Sequence, residues 1–338
     1  MKTIQLRDSF GIDRLQLLKQ SQPTPTSKEV LVKLEAASLN YVDLLMVRGQ
    51  LSPNLLLPYI PVADGAGVVE QVGEDVTAFK PGDRVVTTFI PDWLNGKPTT
   101  ETTTYETRPG LGMVAGQLSE YKRFQVNQLI LYPDQLSAAE ASTLPIAGLT
   151  AWNALRYGNL QAGETVLLHG TGGVSIFALQ FAKALGASVI ITSSSDAKLD
   201  RAKQLGADFL INYKTTPDWE VVVRQVTNDR GVDVVVETVG GQNLQRSLDA
   251  LQMGGHISIV GLLDGFDTHI NTLTLLHQQA TIRGMEVGSR QDFEAMNQVI
   301  EAHNIHPVID KIFTLDQTQQ AFAYLEQGLH FGKIVITL

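Results

Sequence analysis

Through the middle of the chain, short runs of consecutive apolar residues alternate with longer segments whose apolar positions recur every three or four residues. The runs fall at 165–169, 188–192, 208–211, 232–237 and 256–260, rich in β-branched residues and bounded by glycine. Helical spacing occupies 176–185, 196–205, 219–226 and 244–251, with Gly206 closing the second of these. A strand apolar on both faces must be covered on both, and strands alternating with helices of a dozen residues predict a doubly wound parallel sheet. The fold class expected is therefore α/β.

The flanking sequence has another texture. Residues 30–37 alternate as a half-buried strand does, 62–72 set glycines among small and β-branched residues, and Pro81-Gly82-Asp83 reads as a turn feeding a strand over 84–86. Short strands with tight turns predict a β-rich, barrel-like module. A stretch rich in Thr, Gly and Pro follows at 91–117, without periodicity, as a long functional or mobile loop would be. A helix is predicted over 136–155, joining the modules, with Ser137 and Glu140 forming a capping box. Further helices are predicted over 293–302 and 317–327, the latter capped by Asp316 and stopped by Gly328, and a terminal strand over 333–338.

Candidate chemistry begins at the end of the first central strand. Gly170-Thr171-Gly172-Gly173-Val174-Ser175 separates that strand from the next helix. Glycine permits the tight turn and a close backbone approach to a pyrophosphate, whose charge then meets the free N–H groups at the helix start. Ser175 stands where the usual fingerprint has its third glycine. In such sheets the ligand lies at the carboxyl ends of the strands, and four strand–helix units with a fifth strand give the glycine loop the setting the motif requires.

Composition narrows the class. At 338 residues the chain suggests two domains. With 43% hydrophobic and 18% charged residues it can bury a large interior, and a net charge of −9 argues against nucleic acid or an anionic membrane as a partner. The first 18 residues mix charged and apolar side chains with no secretory h-region, so a cytoplasmic location is expected. No cysteine is present, which removes disulfides, thiol nucleophiles and thiolate zinc sites together.

The whole chain resembles the medium-chain dehydrogenase/reductase superfamily, in its zinc-free quinone oxidoreductase branch. The matching segments are Ala36-Ala37-Ser38-Leu39-Asn40-Tyr41-Val42-Asp43, Asp64-Gly65-Ala66-Gly67-Val68-Val69 with Gly73, Lys80-Pro81-Gly82-Asp83-Arg84-Val85, Gly148-Leu149-Thr150-Ala151-Trp152, the loop 169–175, and Phe331-Gly332-Lys333-Ile334-Val335. The resemblance implies a GroES-like catalytic domain built from 1–124 and 268–338 around a Rossmann dinucleotide-binding domain at 125–267. It also implies a homodimer paired through a last sheet strand at 281–287.

Zinc-dependent members place a cysteine where this chain has Asn40, and a His-Glu pair where it has Ala63-Asp64. A catalytic zinc needs three protein ligands and an open position, so no metal is expected. His303 and His306 read as a helix end and turn rather than a metal pair. Without a Lewis acid to hold an alkoxide, the chemistry expected is hydride transfer to a quinone or an α,β-unsaturated carbonyl, which delocalises the arriving charge itself. Asn40 would supply an amide donor, Tyr41 either a phenolic proton or barrel packing, and Asp43 their orientation. Leu45 stands where several quinone reductases carry tyrosine, which makes the pocket more apolar. An alcohol dehydrogenase of the same superfamily, or an NADPH-binding structural or regulatory protein with vestigial activity, are the alternatives.

For the cofactor, the superfamily's acidic position at the end of the second strand falls on Ser193, counted back from Leu205-Gly206-Ala207. Ser193, Ser194, Ser195 and Lys198 would welcome a 2′-phosphate, so NADPH is expected over NADH. Asp196, the counter-argument, is read as a helix N-cap. Tyr213 would stack near the adenine or cover the sheet edge. Thr150 would touch the nicotinamide ribose or back-bond within its helix. Val239, Val260, Gly261, Leu262 and Met285 would line the nicotinamide side or form sheet edge and subunit contacts. Lys333 would anchor the cofactor or be a solvated end-strand charge, and His169 would satisfy a local backbone hydrogen bond.

Overall fold

The computed structural model describes residues 1–52 and 54–338. These form two compact units, Met1–Leu149 with Val287–Leu338, and Thr150–Glu286.

The first unit opens with β1 (Lys2–Leu6) and β2 (Leu15–Lys19), an antiparallel ribbon. There follow β3 (Glu29–Leu39), α1 (Tyr41–Val47), β4 (Asp64–Val72), β5 (Arg84–Thr87), β6 (Tyr121–Gln125), β7 (Leu129–Leu131) and the short α2 (Ala138–Ala141). The central unit runs through α3 (Leu149–Tyr157), β8 (Thr165–His169), α4 (Gly173–Ala184), β9 (Ser188–Ser193), α5 (Asp196–Gln204), β10 (Phe209–Asn212), α6 (Trp219–Val226), β11 (Val232–Glu237), α7 (Asn243–Ala250), β12 (Leu251–Ile259), α8 (Thr272–Gln278) and β13 (Thr281–Gly284). The chain returns to the first unit with α9 (Arg290–Ala302), β14 (Ile309–Thr314), α10 (Thr318–Glu326) and β15 (Lys333–Thr337).

In the first unit the strand order is β14-β15-β3-β4-β5-β7, with β6 also on β3. Among the described residues of this sheet only β14 and β15 pair in parallel. Strand β3 organises the sheet because its alternating apolar side chains serve two cores. Ala37 and Leu39 join Leu44, Phe322 and Ile334, while Val30, Val32 and Leu34 join Val69, Phe79 and Phe124. Where β4 crosses β3, a Cβ on Gly67 would lie 2.1 Å from the carbonyl oxygen of Lys33 and 2.8 Å from Leu34 Cα, so only glycine fits.

The central sheet is parallel throughout, in the order β10-β9-β8-β11-β12-β13. That order reverses between β8 and β11, which marks the switch point where doubly wound folds bind ligands. Val166, Leu167, Leu168, Val189, Ile190, Ile191, Val234, Val235 and Val236 have no solvent exposure, which is the burial their unbroken apolar runs predict. Alternate residues Leu167, Ile190 and Val235 pack with Trp219, Val223, Leu244 and Leu248 of α6 and α7. At roughly 1.5–3 kcal/mol per fully buried aliphatic side chain, these strands supply the main driving force for the unit.

Several expected boundaries move. The units divide at 149/150 and 286/287 rather than 124/125 and 267/268. β7 pairs with β5, which keeps 129–131 in the first unit, and β13 pairs with β12, which keeps 281–284 in the second. The helix expected over 136–155 is α2, a π-type turn at Leu144–Gly148, and α3. Pro145 has no N–H and its ring excludes the ordinary ladder, so the chain widens there. The Ser137–Glu140 capping box is present, with Glu140 accepting the N–H of Ser137 at 2.8 Å. Asp316 does not cap its helix. It lies within a 3-10 turn, Leu315–Gln317, and Thr314 precedes that turn with its N–H donated to Gln317 Oε1. Among the described residues no helix is long and apolar enough to cross a membrane.

Candidate active site

Two polar constructions stand out, one in each unit. In the central unit β8 ends at His169, and Gly170 turns the chain at a φ of 71°, a left-handed conformation suited to glycine. Gly172 caps α4 and Gly173 begins it. A Cβ at Gly170 or Gly172 would meet nothing within 4 Å, so the backbone there is open to a ligand. Thr171 is buried, and Val174 follows in the first turn, whose N–H groups lack intrahelical acceptors. Ser175, in place of the third glycine, turns its hydroxyl back to donate to the His169 carbonyl at 2.6 Å. This loop, with its first-turn donors outside the helix ladder and its open glycines, fits a dinucleotide pyrophosphate.

Beside it, after β9, Ser193 accepts the N–H of Ser195 at 3.3 Å, and Ser195 Oγ accepts that of Lys198 at 3.4 Å. Ser195, not Asp196, is therefore the N-cap of α5. Asp196 is the first helical residue, and its carboxylate accepts Asn212 Nδ2 at 2.7 Å. Ser194 lies between the two bonded serines and Tyr213 is 43% exposed. After β11 and β12 the loops meet closely. A Cβ on Gly261 would fall 2.0 Å from the Thr238 carbonyl oxygen, and Val260 and Gly261 both donate their N–H to Glu237 O. Val239 lies on the first loop, its N–H bound by Glu237 Oε1. Leu262 is exposed on the second, and Met285 donates its N–H to Ile259 O. Thr150 is buried at the start of α3. His169 does not serve a backbone group. Its ring nitrogens meet Ser247 Oγ at 2.9 Å and Thr192 Oγ1 at 3.3 Å.

In the first unit, Asn40 ends β3's run into α1, and its backbone N–H is held by Asp43 Oδ2 at 2.8 Å while Asp43 Oδ1 takes the N–H of Ala63 at 3.0 Å. The Asn40 side chain makes no cap; its Nδ2 donates to Asp64 Oδ2 at 2.8 Å and its Oδ1 accepts Lys333 Nζ at 2.6 Å. An ammonium can only donate, so the amide oxygen must face Lys333 and the amide nitrogen Asp64. One amide N–H then remains, on a residue 8% exposed. Lys333 also donates to Leu39 O at 2.5 Å and is 3% exposed, so it is no solvated end-strand charge. Tyr41 does not pack in the barrel: it is 47% exposed.

Two carboxylates and one ammonium thus share a wholly buried site. Burial pushes Asp43 up to about 6, against the pull of hydrogen bonds from Asn40 and Ala63 and the charge of Lys333. Burial also raises Asp64 and lowers Lys333, and the attraction between them offsets part of each shift. Asp64 Oδ1 and the Tyr59 hydroxyl are buried without a hydrogen-bond partner among the described residues. Next to Ala63, Val62 holds a φ of 76°, an outlier for a β-branched residue and worth about 1–3 kcal/mol of strain. The segment 115–117 imposes it: Gln117 donates its backbone N–H to Val62 O and its side-chain amide to Ala63 O.

This cluster does not suit a tetrahedral zinc. Asn40 Oδ1 already faces an ammonium, Ala63 offers nothing, and Asp64 alone cannot supply the ligand set. Among the described residues no group of three or more His, Cys, Asp and Glu is placed to hold a metal. His303 caps the end of α9, and His306 meets Glu140 at 2.8 Å. The resemblance put Asn40 and Asp64 at corresponding zinc-ligand positions, but nothing in the sequence joined Lys333 to them or gave Asp64 a role without metal. Their signal was present as charges at the first positions of two strands, Asp64 before the small and apolar run 65–69 of β4 and Lys333 before the apolar run of β15.

A model described as alcohol dehydrogenase GroES-like domain matches residues 26–134, and one described as zinc-binding dehydrogenase matches 173–302. A zinc-type alcohol dehydrogenase-like protein of Schizosaccharomyces pombe is 42% identical over 97% of this chain and 96% of its own. A quinone oxidoreductase of Sus scrofa is 29% identical over 94% of this chain and 91% of its own. The solved structure of an NAD-dependent alcohol dehydrogenase superposes with a TM-score of 0.89 at 33% identity, covering 100% of both chains. With the glycine loop, the 3-2-1-4-5-6 parallel sheet and the GroES-like unit all in place, this chain belongs to the medium-chain dehydrogenase/reductase superfamily of nicotinamide-dependent oxidoreductases.

Proposed function

We propose that the protein is an NADPH-dependent, zinc-independent reductase of quinones or α,β-unsaturated carbonyls. The observation that carries this reading is the Asn40 amide, locked between Lys333 and Asp64 with one N–H left to give. Bound NADPH supplies a hydride. On this chain, Asn40 donates its remaining N–H to the acceptor's carbonyl oxygen as negative charge gathers there. Asp43 fixes the Asn40 backbone, Lys333 fixes the amide's orientation, and Tyr41, exposed and adjacent, hands on the proton. An acceptor that spreads the charge through its own conjugation needs no stronger electrophile than this.

The preference for NADPH is supported by Ser193, Ser194, Ser195 and Lys198 around the end of β9, and by Asp196 being turned to Asn212. Thr150, Tyr213, Val239, Val260, Gly261, Leu262 and Met285 complete the cofactor's surroundings in this reading. Lys198→Glu is expected to weaken NADPH selectively; equal loss for NADH, or none, contradicts the assignment. Homodimerisation through β13 is part of the same reading, since that strand ends its sheet and Phe266, Leu273 and Leu276 are exposed in the preceding segment.

The second reading is alcohol oxidation, favoured by the names of relatives such as the S. pombe protein. NADPH consumption measured with a strong chelator present, against an ortho-quinone, a para-quinone and an unsaturated aldehyde, separates the two. Saturable turnover that falls about a hundredfold in Asn40→Ala, with cofactor binding intact, is the expected result. Activity seen only with an alcohol and added zinc establishes the second reading instead.

A further inference from the structure

A continuous chain of side-chain hydrogen bonds runs beneath the glycine loop. It begins at Glu237, the last residue of β11, which has no solvent exposure. Its Oε1 accepts the backbone N–H of Val239 at 2.8 Å and of Gly240 at 3.0 Å, and both oxygens accept Asn243 Nδ2 at 3.1 and 2.9 Å. Ser247, on α7, adds its hydroxyl to Oε2. Every group facing the carboxylate is a donor, so the Ser247 proton points at Glu237 and its lone pairs face away.

That direction propagates. Ser247 Oγ lies 2.9 Å from His169 Nε2, and with its own proton directed at Glu237 it accepts a hydrogen bond from Nε2–H. Burial holds the His169 pKa below the ordinary value, with the Arg246 charge adding to the effect and Glu237 opposing it. The ring is therefore neutral, and with Nε2 protonated Nδ1 is an acceptor. The Thr192 hydroxyl, at 3.3 Å, donates to Nδ1, and its oxygen accepts the backbone N–H of Gly170 at 3.4 Å. Trp219 packs edge-on against the imidazole with ring centroids 4.8 Å apart and closes its flank. The carbonyl of His169 is also held, by Ser175 Oγ at 2.6 Å and Thr238 Oγ1 at 2.8 Å.

We propose that this directed chain, from Gly170 through Thr192, His169 and Ser247 to Glu237, sets the glycine loop in the conformation that receives the dinucleotide pyrophosphate. Thr192 and Ser247 are then positioning residues. The backbone ladder between β8 and β9 ends at the pair His169 and Thr192, so the loop beyond it has no strand to align it. Side chains from β9, β11 and α7 converge on that point instead. All donors run one way, and low local dielectric strengthens each bond by polarising the next. The inference rests on the dinucleotide reading of the glycine loop given above.

The test measures NADPH and NADH dissociation constants together with melting temperature. Thr192→Val removes the hydroxyl at nearly constant shape, and Thr192→Ser keeps it. One lost internal hydrogen bond predicts about a tenfold rise in the NADPH constant for Thr192→Val, with Thr192→Ser restoring it to within about twofold on the same scale. Should Thr192→Val fail to fold, Ser247→Ala carries the same expectation. Nitrogen-15 spectra of the wild type should show His169 neutral and protonated on Nε2. Wild-type affinity in Thr192→Val, no rescue by Thr192→Ser, or a proton on Nδ1 each overturns the proposal. A wild type that binds neither dinucleotide overturns the cofactor reading itself, and this inference with it.

Discussion

Gly170 shows how far a single residue can be read. Its φ of 71° costs an L side chain about 1–2 kcal/mol, and no described residue would touch an added methyl. Gly170→Ala is therefore expected to lower stability by about that strain alone, while dinucleotide affinity falls further, because the methyl projects into the open side of the loop. Thermal unfolding and a binding titration on one preparation separate the two effects. Equal losses in both would mean that the loop's open side does not face the cofactor. The glycine loop was legible because its demand is local: a turn must be made within a few residues of a strand end. The Asn40 site was only half legible. Asn40, Asp43 and Asp64 lie within a short span, but Lys333 reaches Asn40 from 293 residues away, and no spacing rule connects them. Tyr41's exposure was equally hidden, since a strand-to-helix corner does not declare which way its second residue points. The hydroxyl chain under the loop was unreadable for the same reason: Thr192, Ser247 and Glu237 look like ordinary element-end residues until the sheet brings them together.

At the scale of elements, what the sequence declared was periodicity. β8 and β11 and helix α6 fall where the apolar pattern predicts them, because a strand buried on both faces and an amphipathic helix each leave a strong repeat. β1 and β2 left none, since polar Thr3 and Gln5 are buried in the first while apolar Leu17 is exposed in the second. The π-type turn at Leu144–Gly148 depends on how one proline is accommodated, which the helical pattern around it conceals. The β3–β4 crossing is the element contact most open to a decisive test. Gly67→Ala would set a methyl against backbone on the neighbouring strand, where nothing flexible can yield, whereas Gly82→Ala meets open space and carries only the strain of its φ of 91°. We expect Gly67→Ala to cost about 3 kcal/mol or more and Gly82→Ala about 1–2 kcal/mol, read from denaturant unfolding. Comparable losses would show that β3 and β4 can separate without penalty.

For the molecule as a whole, a net charge of −9 argues against some partner classes but says nothing about where charge sits inside. The consequential charges are the three buried beside Asn40, and the two aspartates among them make stability depend on pH in a direction opposite to that of carboxylates whose pKa folding depresses, whereas Lys333, depressed by burial, has the reverse sign. Asp43 titrates near 3.8 when unfolded and near 6 when folded. Its folded form binds protons more tightly, so its contribution is fully present below about 3.8 and is lost as pH rises through about 6. Asp64 is raised as well and acts with the same sign. His169, held neutral by burial, has the opposite sign: the unfolded chain takes up its proton more readily, so stability is lost as pH falls below the ordinary histidine value. The net curve mixes these, and a substitution isolates one of them. In Asp64→Asn the amide can still accept from Asn40, but the titration is gone. Comparing unfolding free energies from pH 4.5 to 7.5, we expect the wild type's advantage over Asp64→Asn to shrink as pH rises, by on the order of 1–2 kcal/mol. An advantage that grows with pH would mean that Lys333 stabilises ionised Asp64 more than burial penalises it. The Asn40 amide would then face a permanently charged carboxylate rather than one that holds a proton near neutrality.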